Sequence, residues 1–168
     1  MTELETSNLR LKRLSVGDAE SLFRTCGDPD TMKYWLKGPD KNFEETKQRI
    51  LNIEDHWQIH GFGDWGAVMK NNSRLMGFAG LHFIDGMDDV NIGYAFEKTY
   101  WRKGFGFETC HAILEFGQNV LKLSHIVAVI WPQNIASIRL IEKCGLRFWK
   151  KMIWGGGDRI VCRIDFRD

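Results

Sequence analysis

The chain has 168 residues, 43% of them hydrophobic and 27% charged, and its 23 Lys and Arg against 22 Asp and Glu leave a formal net charge of +1. That composition fits one globular domain over residues 1–168 and excludes a disordered or collagen-like chain. The near balance of charge supplies no broad footprint for nucleic acid. With no charged segment leading into an apolar h-region at the amino end, and no apolar run approaching a membrane span, a soluble cytoplasmic protein without a membrane partner is expected. Cys26, Cys110, Cys144 and Cys162 show no metal-ligand spacing; they are expected as reduced, buried small side chains, with no metal.

From the amino end, Asn8 to Leu14 alternates apolar and polar residues and predicts a strand, and Ser15 predicts the cap of a helix from about Val16 to Thr25. The turn cluster 27–30 is expected to lead into a short helix over 31–36, broken by Gly38-Pro39-Asp40. A longer helix is predicted from about Phe43 to Ile59, with Ile50, Ile53 and Trp57 on one face and Gly61 at its end. Three antiparallel strands should follow at 65–70, 74–84 and 90–96, joined by Asn71-Asn72-Ser73 and the turn 85–89. A helix over 104–121, a strand over 125–130 and a helix over 135–144 come next. A hairpin of 147–154 and 160–166 around Gly155-Gly156-Gly157-Asp158 completes an α+β domain.

The segment Tyr94 to Cys110 runs from a strand through a basic, glycine-containing turn into a helix, a junction that binds anions. Gly104 and Gly106 let the backbone turn sharply and expose its N–H groups, while Arg102 and Lys103 can neutralise phosphate oxygens. The structural alternative is that the glycines only start the helix and the two cations stay in solvent. A dinucleotide fingerprint needs a third glycine where Thr109 stands, and a phosphate loop of the nucleotide hydrolases needs Gly-Lys-Ser/Thr where the chain has Gly106-Phe107-Glu108. What remains is Tyr100-Trp-Arg-Lys-Gly-Phe-Gly-Phe-Glu108.

Beside it stands a second motif, Asn134-Ile-Ala-Ser-Ile-Arg-Leu-Ile-Glu-Lys-Cys-Gly-Leu-Arg-Phe148, placed after the β-branched run 125–130. Together the two resemble the GNAT superfamily of acyl-CoA N-acyltransferases, and within it the RimJ/RimL-like branch of protein N-terminal acetyltransferases. The opening segment Leu4 to Leu14 is similar to the first strand of that branch. The likeness extends over essentially the whole chain and is specific for the superfamily rather than for a substrate.

The resemblance implies a mixed, mostly antiparallel sheet of about seven strands, splayed between the fourth and fifth, with helices on both faces and acetyl-CoA as co-substrate in the opening. Backbone groups of Tyr94, Ala95 and Phe96 become candidates for the pantetheine arm and the acetyl oxygen. For the pyrophosphate the candidates are the backbone of Arg102, Lys103, Gly104, Phe105, Gly106 and Phe107, with the Arg102 and Lys103 side chains. Asn134 stands where the family's asparagine binds pantetheine, and it can equally cap the helix behind it. Ser137 falls where the branch places a serine near the CoA sulfur, able to protonate the departing thiolate; the alternative is an ordinary helix-surface serine. Where many GNAT enzymes carry a tyrosine acid, this chain has Ile141.

For the base, Glu97 and His82 lie in the right neighbourhood, with solvent-facing and cross-strand roles as their alternatives, and water suffices for an α-amine. The aromatics Trp35, Trp57, Phe62, Trp65, Phe78, Phe83 and Trp131 are mostly expected in the core, and some can wall an acceptor pocket. The acceptor implied is the α-amine of a protein, ribosomal-protein-like. A small amine such as an antibiotic, polyamine or amino acid, and a non-catalytic CoA-binding module, stay open, as does a monomer or a homodimer.

Overall fold

The computed structural model describes residues 3–166. In chain order the strands are β1 (Leu4–Glu5), β2 (Leu9–Lys12), β3 (Asp64–Met69), β4 (Leu75–His82), β5 (Asn91–Phe96), β6 (His125–Ile130), β7 (Arg147–Trp154) and β8 (Gly157–Asp165). The helices are α1 (Ala19–Cys26), α2 (Phe43–His60), α3 (Phe105–Asn119) and α4 (Ile135–Lys143). All eight strands form one sheet in the order β1-β2-β3-β4-β5-β6-β8-β7, antiparallel except for β5 and β6.

The GNAT architecture is therefore present with eight strands rather than about seven, and the parting strands are the fifth and sixth in chain order. The extra strand arises because the opening segment does not run straight. Glu108 of α3 accepts from the Thr6 hydroxyl, from the Asn8 amide N–H at 2.7 Å and from Asn8 Nδ2 at 2.9 Å. This folds the chain back so that Leu4 pairs with Leu11. The short helix expected over 31–36 is absent. Asp28 accepts from the Asp30 amide at 3.0 Å and the Thr31 hydroxyl at 3.1 Å, and a succession of turns follows.

Each face of the sheet carries helices. On one, α1 and α2 contribute Leu22, Cys26 and Ile50 to a cluster with Val68, Phe78 and Ala95. On the other, Cys110, Ile113 and Phe116 of α3 and Ile141 of α4 close over Leu81, Ile126 and Ala128. Ile50 and Trp57 are buried on α2 as their spacing predicts, and Gly61 ends that helix at φ 76°. Gly77, at φ 152°, sits beside a register shift between β3 and β4, and a Cβ there would collide with the Ala95 carbonyl, so only glycine lets β4 and β5 approach.

The parallel contact between β5 and β6 lasts for one register position, Asn91 opposite Val127. Val127 N donates to the Val90 carbonyl at 3.0 Å, but two residues on, Val129 N donates to the side-chain Oδ1 of Asn91 at 3.0 Å. The Asn91 amide thus replaces the backbone partner that the departing strand no longer supplies. Among the described residues no helix is long and apolar enough to cross a membrane.

Candidate active site at the parting of two strands

Hydrogen-bond parity decides which groups of β5 face the gap. Glu97 N donates to Met76 O at 2.8 Å, so odd-numbered residues bond towards β4; the Val90 carbonyl bonds to β6, so even-numbered ones face away from it. Tyr94 and Phe96 therefore turn their main-chain groups to the gap, whereas those of Ala95 belong to the β4 ladder. Trp101 Nε1 donates to the Phe96 carbonyl at 2.7 Å. The Tyr94 N–H and C=O and the Phe96 N–H are left without strand partners, the arrangement that an extended amide-bearing ligand can complete.

At the open end of the gap, α3 begins on Gly104, which has φ 87° and offers no side-chain cap. Two other helices differ: Asn42 caps α2 by accepting from Glu45 N, and Asn134 caps α4 by accepting from Ser137 N at 3.2 Å. The first-turn N–H groups of Phe105, Gly106 and Phe107 consequently point outward, concentrating the positive end of the helix dipole. A Cβ built on Gly104 meets nothing within 4 Å. One on Gly106 would lie 3.0 Å from Leu140 Cδ2, so Gly106 serves the contact of α3 with α4 as much as any ligand. Arg102, at φ 59°, and Lys103 are exposed at the same turn.

Ser137 lies one turn into α4, and its Oγ is 2.7 Å from the Tyr94 hydroxyl, which reaches across from β5. Burial pushes the Tyr94 phenol well up, reinforced by Cys110 and only partly opposed by the Ser137 hydrogen bond, so it stays protonated and can donate. The side chain of Tyr94 is the candidate group that sequence reasoning missed. Strand alternation puts Tyr94 and Phe96 on one face, and their rings stack 5.8 Å apart, but nothing local reveals that α4 returns opposite them.

On the opposite face of the sheet, a cleft of about 220 Å³ is lined by Trp35, Ile53, Asp64, Phe78, His82 and Phe83 among others. Here His82 Nδ1 stands 3.0 Å from Asp64 Oδ1 and Nε2 stands 3.2 Å from Asn91 Nδ2. Since Asn91 Oδ1 is committed to Val129 N, its NH₂ donates to Nε2, which fixes the proton on Nδ1, donated to Asp64. Burial disfavours the imidazolium, but the Asp64 charge and hydrogen bond outweigh it, raising the His82 pKa above its ordinary 6.5. Gly93 forms the floor, since a Cβ there would lie 2.7 Å from His82 Cε1 and 3.7 Å from Trp35 Cη2.

Glu97, the other base expected from sequence, is held differently. It is 7% exposed, with Oε1 accepting from Arg24 Nε and Oε2 from Arg74 Nη2, both at 2.9 Å. Each oxygen is engaged by an arginine, so the carboxylate ties α1 to the sheet and its charge is already paired. Of the aromatics, Trp57 and Trp65 are core, packed edge to face at 4.9 Å. A larger concavity of about 440 Å³ runs between the β1–β2 turn and α3 and reaches Gly104 and Phe107 at the start of that helix.

Residues 8–147 match the family described as an acetyltransferase (GNAT) domain. The uncharacterized protein YkkB of Bacillus subtilis is 30% identical over 152 residues, spanning 89% of this chain and 87% of that protein. A GNAT-family acetyltransferase structure from Bacillus anthracis superposes with a TM-score of 0.85 at 24% identity, covering 98% of both chains. A putative ribosomal-protein-serine acetyltransferase from Vibrio cholerae superposes with a TM-score of 0.81 at 22% identity, covering 98% of this chain and 97% of that one. With the parted strands, the uncapped α3 and a match over more than four-fifths of its length, the chain belongs to the GNAT acetyltransferase family.

Proposed function

We propose that the protein transfers an acetyl group from acetyl-CoA directly to the α-amine of a protein's amino terminus, in a ternary complex without an acyl-enzyme. GNAT acetyltransferases use acetyl-CoA as co-substrate, and it supplies an acyl carbon bound to a thiolate leaving group. The reading rests on one observation above all: unpartnered amides of β5 lie next to an uncapped helix, with a histidine-carboxylate pair on the acceptor side.

Each residue then has a task its geometry suits. The first-turn amides of α3, with Arg102 and Lys103, hold the pyrophosphate, and the gap-facing groups of Tyr94 and Phe96 hold the pantetheine arm and polarise the acetyl oxygen. Asn134 fixes the start of α4 and so the place of Ser137, whose hydroxyl, with that of Tyr94, delivers a proton to the sulfur. His82 takes the ammonium proton on Nε2, directly or through a water, once the substrate displaces the Asn91 amide that donates to that nitrogen in this structure, and Asp64 makes it a better base. An amino terminus has a pKa near about 7.7, so a modest base suffices.

The cleft walled by Trp35 and Phe78 suits the end of a chain, and the Vibrio cholerae relative in fold is described as a putative ribosomal-protein-serine acetyltransferase. Thiol release from acetyl-CoA in the presence of peptides with free amino termini tests the reading, with acetyl-CoA binding measured in parallel. Release dependent on the peptide is expected. Tight binding without release for any acceptor would identify a CoA-binding module instead.

A further inference from the structure

Arg159 of β8 is 1% exposed, yet its Nη2 is buried without a hydrogen-bond partner. Its Nη1 donates to the carbonyl of Asp158 at 2.9 Å, and its Cζ stacks 3.3 Å above the centroid of Trp131, with Trp154 at 5.7 Å. Among the described residues no carboxylate forms an ion pair with it. A guanidinium is charged at every working pH, and a buried charge without a counter-ion is held at substantial cost. The Trp131 ring offsets part of that cost through its π face but leaves Nη2 without an acceptor.

Ile126, Ala128 and Ile130 of β6, and Cys162 of β8, pack on the α3 and α4 side, so alternation turns Trp131 and Arg159 to the other face, the one that carries His82. Residues 34–36 cross between the two. The Tyr34 carbonyl accepts from Trp131 Nε1 at 2.9 Å on one side, and Trp35 packs on Phe78 at 5.2 Å on the other. Leu36, 52% exposed, lies over Gly155. The glycine turn leaves room for the guanidinium: a Cβ on Gly155 would stand 3.2 Å from Nη2, and one on Gly157 would stand 3.2 Å from Nη1 and 3.1 Å from the Trp131 ring. The unpaired donor thus lies beside the glycine turn on which Leu36 rests, on the face of the sheet that carries His82.

We propose that Arg159 receives a carboxylate of the amine acceptor when the strap of residues 34–36 lifts from the glycine turn, so that the enzyme selects amines bearing a nearby acid. This rests on the acetyltransferase reading above. The planar fork and the missing counter-ion both favour a carboxylate over a neutral carbonyl. The acid has two sources: the α-carboxylate of a free amino acid, or an Asp or Glu side chain next to the amino-terminal residue of a protein.

The test is equilibrium binding to the full chain saturated with CoA, by calorimetry. Each amino acid is compared with its amide, and peptide amides beginning Ala-Glu are compared with those beginning Ala-Gln. In the parent protein the carboxylate form should bind about 10- to 100-fold more tightly in one arm, the range for a hydrogen bond to a charged group, and the arm that responds names the source. Arg159→Gln should abolish the preference while acetyl-CoA affinity stays unchanged, and Arg159→Lys should restore part of it. Should Arg159→Gln fail to fold, Gly157→Ala keeps the charge but crowds the slot, and it should weaken the carboxylate form alone. Equal affinity within every pair, no measurable binding in either arm, or a preference that survives Arg159→Gln would overturn the proposal. Turnover without carboxylate preference sinks this slot alone, whereas carboxylate-selective binding without thiol release sinks the transferase reading and leaves the slot.

Discussion

Replacing Gly104 by Asp, with Gly104→Ala as its control, isolates the electrostatics of the anion turn. Because a Cβ at this position meets nothing within 4 Å, neither side chain collides with the protein, and both project where the phosphates are proposed to lie. Both also carry the cost of a non-glycine residue at φ 87°, about 1 kcal/mol, which appears in thermal unfolding and cancels between them. What differs is one carboxylate. At about 5 Å from a phosphate charge and an effective dielectric of about 20, repulsion is about 3 kcal/mol, or about 100-fold in affinity. The turn is exposed, so the penalty should shrink between about 0.05 and 0.5 M salt as screening sets in. Calorimetry with acetyl-CoA measures it. A folded Asp variant that binds within about threefold of the Ala variant at low salt would refute the placement of the pyrophosphate.

Ser137→Ala and Tyr94→Phe should each lower kcat by about 10- to 1000-fold with acetyl-CoA affinity nearly intact, and the double variant should be little worse than either, because the two hydroxyls act as one pair. Additive losses in steady-state kinetics would separate them. Asp64→Asn concerns the acid limb of kcat/KM: His82 must be uncharged to accept a proton, so activity is lost as pH falls through its raised pKa. Without the carboxylate, burial alone remains and the limb should move to lower pH; a limb that stays in place would remove His82 from proton transfer. Gly93→Ala would place a methyl 2.7 Å from His82 Cε1, so acceptor kcat/KM should fall while acetyl-CoA binding holds, and a simultaneous loss of both would mean that the sheet itself had shifted.

Much of this was legible where chemistry is local. The turn of Arg102 to Phe107 and the cap at Asn134 are written in glycine and asparagine at fixed offsets from helix starts, and the alternation around Tyr94 assigned its face correctly. The 31–36 segment failed because Tyr34, Trp35 and Leu36 are each drawn to a distant partner, Gln133, Phe78 and Gly155, and tertiary contacts overrode the local pattern. Glu97 looked available because its arginine partners stand 73 and 23 residues away. The Tyr94 and Ser137 pair, 43 residues apart, and the Arg159 slot, assembled from three loops and strands, leave no trace at any sequence spacing.

The central claim is acetyl transfer to an α-amine, and it is tested most directly by one set of peptides of equal length at fixed pH. One has a free amino terminus and no lysine, one has an acetylated terminus and one lysine, and one has neither amine, with acetylation read by mass. The account predicts acetyl-CoA-dependent mass gain on the first peptide alone, located on its terminal nitrogen. Preferential acetylation of the lysine-only peptide, or none on any of the three, would contradict it.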